Sequence, residues 1–79
     1  MALKVILSST LRRYVRDYDP VEGMSVQVAK GTSIKELLRV LGIPEKDIKI
    51  AMVNGIRTNL DAILEGNERV GLFPAVGGG

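Results

Sequence analysis

The sequence predicts an α+β domain: a mixed sheet of four to five strands packed on one main helix, followed by a flexible C-terminal glycine tail. Three observations predict it. Ile34, Leu37, Leu38 and Leu41 fall at i, i+3, i+4 and i+7, one stripe of a helix. Short runs rich in Val, Ile and Leu flank that stretch, giving the order strand, strand, helix, strand, short strand, strand. An Asn54-Gly55 pair splits two of these runs. Asn-Gly is a strong hairpin signal, because a type I′ turn needs positive φ at both central positions.

"LKVILS", Leu3 to Ser8, is a short apolar run and reads as a buried strand. "TLRRYVRDYDPVEG" mixes charge with Pro20 and Gly23 and reads as a loop, with a turn of helix around Leu11 to Val15. "MSVQVAKG" alternates: Met24, Val26 and Val28 on one side, Ser25 and Gln27 on the other, as in a half-buried strand. In "GTSIKELLRVLGIP", Ser33 and Glu36 form a capping-box pattern, Gly42 supplies the stop and Pro44 forbids continuation. "PEKDI" reads as a short helical turn, and "IKIAMVNGIRTN" as a hairpin. A tight turn at Gly66-Asn67 precedes the last strand, "RVGLFP", which Pro74 ends. A hairpin, a crossing helix and further strands are the pattern of a β-grasp (ubiquitin-like) sheet. The expected organisation is one β-grasp domain over residues 1–74 and a flexible tail over 75–79.

Seventy-nine residues support one modest core. Only Tyr14, Tyr18 and Phe73 are aromatic, so that core must be built from Val, Ile and Leu. The chain has no Cys and no His, which removes disulfides, thiolate nucleophiles and the usual zinc ligands; no metal and no bound cofactor are expected. The net charge of +2 is mild, and base-stacking aromatics are nearly absent, so no nucleic-acid partner is expected. The start "MALKVILSST" lacks a signal-peptide pattern, and no run approaches the ~20 apolar residues that span a bilayer. The expected setting is cytoplasmic, with no membrane partner.

The chain ends "LFPAVGGG". A C-terminal carboxylate can be activated as an acyl-adenylate by a partner that uses ATP. Sulfide or persulfide then gives a thiocarboxylate, and a lysine gives an isopeptide. Glycine suits such an end: it threads a narrow channel, tolerates unusual backbone angles and leaves its carbonyl open to attack. The competing reading is a frayed terminus. The tail follows a strand directly, so its root is set by the sheet.

"VNGIRTNLDAILEGNERVGLFPAVGGG" resembles the C-terminal half of the MoaD/ThiS family of ubiquitin-like sulfur carriers, with its VNG turn, "DGD" turn, last strand and Gly-Gly end. "LRRY" and "GTSIKELL" fit the front half more loosely. The resemblance implies a carrier rather than an enzyme: a protein co-substrate whose Gly79, supported by Gly78, is adenylated by an E1-like adenylyltransferase and thiocarboxylated, ATP being used by that enzyme. The lead-in and length look most like the molybdopterin branch, where the acceptor is the large subunit of molybdopterin synthase. The alternatives are a carrier for thiamine thiazole or sulfur amino-acid synthesis, and a modifier conjugated to lysines. Phe73, Pro74, Ala75, Val76 and Gly77 are the expected partner-binding residues. The chain departs from the family pattern at Glu65 and Asn67 in the "DGD" turn, at Pro74-Ala75 where two prolines are usual, and in ending on three glycines.

Alternation in "RVGLFP" puts Val70 and Leu72 on one face, Gly71 and Phe73 on the other. Phe73 is then either an interface anchor beside the tail root or the filling of a satellite core. Arg12, Arg13 and Arg16 form a basic cluster that reads first as a solvated loop and second as a site for an acidic partner or phosphate. A β-grasp binding module without covalent chemistry would depend on that cluster and not on the tail.

Overall fold

Leu3, Val5 and Leu7 alternate with Lys4 and Ile6 along β1 (Leu3–Leu7), and the three are fully buried. The computed structural model describes residues 2–75. β2 (Met24–Val26) lies antiparallel to β1, and β7 (Arg69–Pro74) lies parallel to it on the other side. β4 (Ile48–Val53) joins the far edge of β7, and β5 (Ile56–Thr58) closes the sheet through the expected hairpin. The order is β2-β1-β7-β4-β5. Asn54 (φ 51°) and Gly55 (φ 82°) both take the positive φ that the type I′ turn requires.

One face of this sheet is covered by α1 (Ile34–Leu41). Ile34, Leu37 and Leu38 are buried with Leu3, Val5, Leu7, Ala51, Val70 and Leu72 in a single aliphatic core. The capping box is complete: the Ser33 hydroxyl accepts from the Glu36 N–H at 3.2 Å, and the Glu36 carboxylate accepts from the Ser33 N–H at 3.0 Å. Gly42 ends the helix in the left-handed conformation at φ 75°. The expected mixed sheet of four to five strands on one main helix, the β-grasp architecture, is therefore observed, with five strands.

The structure adds elements with no periodicity to betray them. β3 (Thr32–Ser33) and β6 (Ile63–Leu64) form a second, two-stranded sheet. Its connection satisfies the helix start: the N–H groups of Ile34 and Lys35 donate to the carbonyls of Ala62 and Leu60 at 3.1 and 3.0 Å. These are donors that a helix cannot satisfy internally. The expected helical turn near Leu11 is a 3-10 helix over Ser9–Tyr14, pinned by fully buried Leu11. β2 stops at Val26, short of the alternating run read from the sequence, although Val28 still packs on the core.

β2 is too short to pair with the end of β1, and side chains take over. The Leu7 N–H donates to the Tyr18 hydroxyl at 2.7 Å, and its C=O accepts from Arg12 Nε at 3.1 Å. The long loop is thereby clasped to the strand it leaves.

The tail root and the open face of the sheet

β7 lies between β1 and β4 and leads directly into the C-terminal segment. Its alternation is strict. Glu68, Val70 and Leu72 are buried on the helix side; Arg69, Gly71 and Phe73 face away from the helix. The open face follows from the strand register. Ile6, Gly71 and Met52 sit side by side across β1, β7 and β4, with Arg57 next to Met52. One row nearer the tail, Phe73 pairs with Ile50; one row further away, Lys4 pairs with Arg69.

The Phe73 ring lies over Gly71: a Cβ built on that glycine would stand 3.4 Å from Phe73 Cε1. Phe73 is half-buried, and with Ile6, Met52, Gly55, Arg69 and Gly71 it lines a groove of about 150 Å³. The charged residues within the five strands are all cationic: Lys4, Arg57 and Arg69 lie in register on this face, while Lys49 falls in the register shift between Ile48 and Ile50. The open face is thus apolar at its centre and positively charged at its rim.

Of the residues expected to meet a partner, Pro74 is half-buried in register with Ile48, and Ala75 is exposed. Ala75 donates its N–H to the Asp47 C=O at 3.1 Å. Val76, Gly77, Gly78 and Gly79 lie outside the described residues. Arg12, Arg13 and Arg16 are all exposed, as a solvated loop requires, yet two of them make contacts within the chain. Arg12 clasps Leu7, and Arg13 Nη2 donates to the Tyr14 hydroxyl at 3.2 Å and lies 3.8 Å from Asp47 Oδ2. Tyr14 in turn donates to the Asp47 carboxylate. Arg13 therefore stands close to the tail root, which the sequence alone does not reveal.

Glu68 is another residue that sequence reasoning missed. Its carboxylate is buried under the Gly66 turn and accepts N–H bonds from Glu65, Gly66 and Asn67 at 2.7, 2.9 and 3.1 Å. Burial pushes this carboxyl up, but the backbone N–H groups of Glu65, Gly66, Glu68 and Asn67 together hold it below the usual range. The carboxylate organises the turn, which explains how Glu65 and Asn67 are accommodated there. Among the described residues, no group of three or more His, Cys, Asp or Glu is placed to hold a metal ion. No helix among them is long and apolar enough to cross a membrane.

A sheet of this order, with α1 on one face and the last strand at its centre, defines a β-grasp, ubiquitin-like fold. The chain belongs to the Mut7-C ubiquitin family, whose model matches residues 1–77. Its fold is similar to the crystal structure of SAMP1 from Haloferax volcanii, with a TM-score of 0.70 at 16% identity over 100% of both chains. It is likewise similar to a putative molybdopterin converting factor, subunit 1, from Pyrococcus furiosus, with a TM-score of 0.69 at 18% identity over 96% of this chain and 99% of that one. No curated protein matches the chain significantly.

Proposed function

We propose that this protein is a sulfur carrier that works through its own C-terminus in molybdopterin (molybdenum or tungsten cofactor) biosynthesis. An E1-like adenylyltransferase joins the Gly79 carboxylate to AMP and releases pyrophosphate. Sulfide then attacks the activated carbonyl, AMP leaves, and a thiocarboxylate remains for transfer to an acceptor such as the molybdopterin synthase large subunit. The protein acts as a co-substrate, and ATP is consumed by its partner. Gly78 and Gly77 give the reactive end a thread without side chains.

The observation that carries this reading is the position of β7. The strand leading into the glycines is held on both edges, by β1 and by β4, so the body can deliver the terminus to a partner at a fixed place. Fixing a peptide tail in a partner's site costs about 1–2 kcal/mol per residue. The body must supply much of the binding energy that offsets this. The open face offers it: Phe73 at the tail root, Ile6, Ile50 and Met52 behind it, and a cationic rim suited to an acidic partner surface. The name of the Pyrococcus furiosus neighbour supports the molybdopterin branch over the thiamine one.

Intact-mass analysis tests the reading, on protein incubated with ATP, sulfide and an E1-like enzyme. Exchange of one oxygen for sulfur in the C-terminal peptide is the expected result, and it should vanish when one alanine is added after Gly79. Unmodified protein beside an enzyme active on its own carrier overturns the proposal. Attachment of the terminus to lysines instead assigns the chain to the modifiers.

A further inference from the structure

We propose that Tyr14 is a positioning residue for the C-terminal chemistry, acting through Asp47 to fix the direction in which the chain leaves the sheet at Ala75. The inference rests on the carrier reading above, and it concerns residues that reading does not use.

Pro74 has no N–H, so the β7–β4 ladder loses a donor at the point where the strand ends. The next donor is the Ala75 N–H, and it reaches the Asp47 carbonyl at 3.1 Å. The course of the chain at Ala75 therefore depends on where Asp47 sits. Asp47 is held within its own segment through one backbone bond, from its N–H to the Pro44 C=O at 3.1 Å. It ends a single 3-10 turn, Glu45–Asp47, and the register shifts immediately afterwards, between Ile48 and Ile50. A one-residue slip at such an irregularity exchanges the two faces of a strand.

The long loop supplies a second restraint. Tyr14 donates its hydroxyl hydrogen bond to Asp47 Oδ2, from the end of the 3-10 helix that buried Leu11 anchors. Arg13 covers the Tyr14 ring, with its guanidinium carbon 5.1 Å from the ring centroid, and approaches both Tyr14 Oη and Asp47 Oδ2. Arg13, Tyr14, Asp47 and Ala75 thus form a continuous path from the loop after β1 to the tail. Tyr14 is distant in sequence from the reactive end and acts through Asp47. Its effect is on the geometry with which the terminus is presented, and a misplacement of about 1 Å can cost on the order of 10²-fold in rate.

Tyr14→Phe removes the hydroxyl and keeps the ring. Asp47→Asn keeps an acceptor for that hydroxyl, and Asp47→Ala removes it. Two readouts are needed: hydrogen exchange of the Ala75 amide by NMR, and steady-state pyrophosphate release with an E1-like adenylyltransferase that activates the wild-type protein. Tyr14→Phe and Asp47→Ala should speed Ala75 exchange and lower kcat about tenfold with KM nearly unchanged, because the docking face is intact. Asp47→Asn should stay near wild type in both. Unchanged exchange and kcat in Tyr14→Phe, with wild type active, overturn the role of Tyr14 alone. So does a loss confined to KM, which would place Tyr14 in docking, or a loss matched by global unfolding in the thermal transition. Wild-type protein that no such enzyme adenylates overturns the carrier reading and this role together, while the exchange data still report whether Tyr14 holds Ala75.

Discussion

The two faces of β7 are built from alternate residues of one strand and obey different rules. On the covered side, Val70 and Leu72 are fully buried against α1, and Glu68 is buried with its carboxylate on three N–H groups. On the open side, Arg69 is exposed, Gly71 has no side chain, and Phe73 lies half-buried across that glycine. The covered side is closed to everything but the core. The open side is apolar at its centre and edged by Lys4, Arg57 and Arg69. The lesson is that a core face and a solvent-facing one can be separated within six residues, because a strand sends successive side chains in opposite directions.

The sharpest way to break that separation is to cut into the covered side. Leu72→Ala removes a fully buried side chain from the central strand and should cost about 2–5 kcal/mol in urea unfolding. A loss below about 1 kcal/mol would be far under the range for a truncated core leucine and would mean that the covered face is not a packed core.

Gly23→Ala tests the opposite edge of the open face. Gly23 has φ 78°, and a Cβ there would meet the backbone oxygen of Val5 at 2.8 Å and Ile6 Cδ1 at 2.6 Å. The isoleucine can turn away, but the carbonyl cannot. The left-handed backbone alone costs a non-glycine residue roughly 1–2 kcal/mol, and the contact with Val5 adds to it. A melting temperature equal to wild type would show that the entry to β2 is free to move off β1.

Glu68 sharpens the comparison by pH. Its folded-state pKa lies below the unfolded value of about 4.3, so its stabilising contribution is complete above that value and is lost as pH falls through the folded one. Glu68→Gln should therefore destabilise the protein at neutral pH by about 1–2 kcal/mol and flatten the acid limb of its stability profile. Asp19 and Glu36 also titrate low, through N–H bonds from Glu22 and Val21 and from Ser33 respectively, so a residual slope should remain. An unchanged acid limb would show that the turn N–H groups do not hold the carboxylate in solution.

The sequence displays what is local. The α1 caps, the Asn54-Gly55 turn and the division of β7 into two faces all depend on residues a few positions apart, and each is observed as expected. What it hides is made by distant segments meeting. β3 and β6 are two residues each, too short for any period to register. Ile48 packs on the core, although strict alternation would place it with Ile50 and Met52, because the irregularity after Ile48 resets the register. Glu68 reads as one more polar residue of a turn until three N–H groups are seen to converge on it. Tyr14 and Asp47 are 33 positions apart, and nothing in either neighbourhood announces the pair.

Phe73 is where the comparison is most exposed, because the sequence allowed it either role. If it fills a satellite core, truncation should cost the 3–5 kcal/mol typical of a buried phenylalanine. The structure places it instead on the face that α1 does not cover, packed on Gly71 and absent from the residues that line the aliphatic core. Phe73→Ala should then lower stability by only about 1 kcal/mol, since part of the ring is already in water and no cavity is enclosed when it goes. The same change should weaken binding to the activating enzyme by about tenfold or more, as loss of an aromatic anchor does at the centre of an interface. Chemical unfolding and a titration against that enzyme, on one preparation, give both numbers. A large stability loss with unchanged affinity would move Phe73 to the folding side and leave the open face without its anchor. The expected opposite pattern would show β7 holding the fold through Leu72 and meeting the partner through the very next residue.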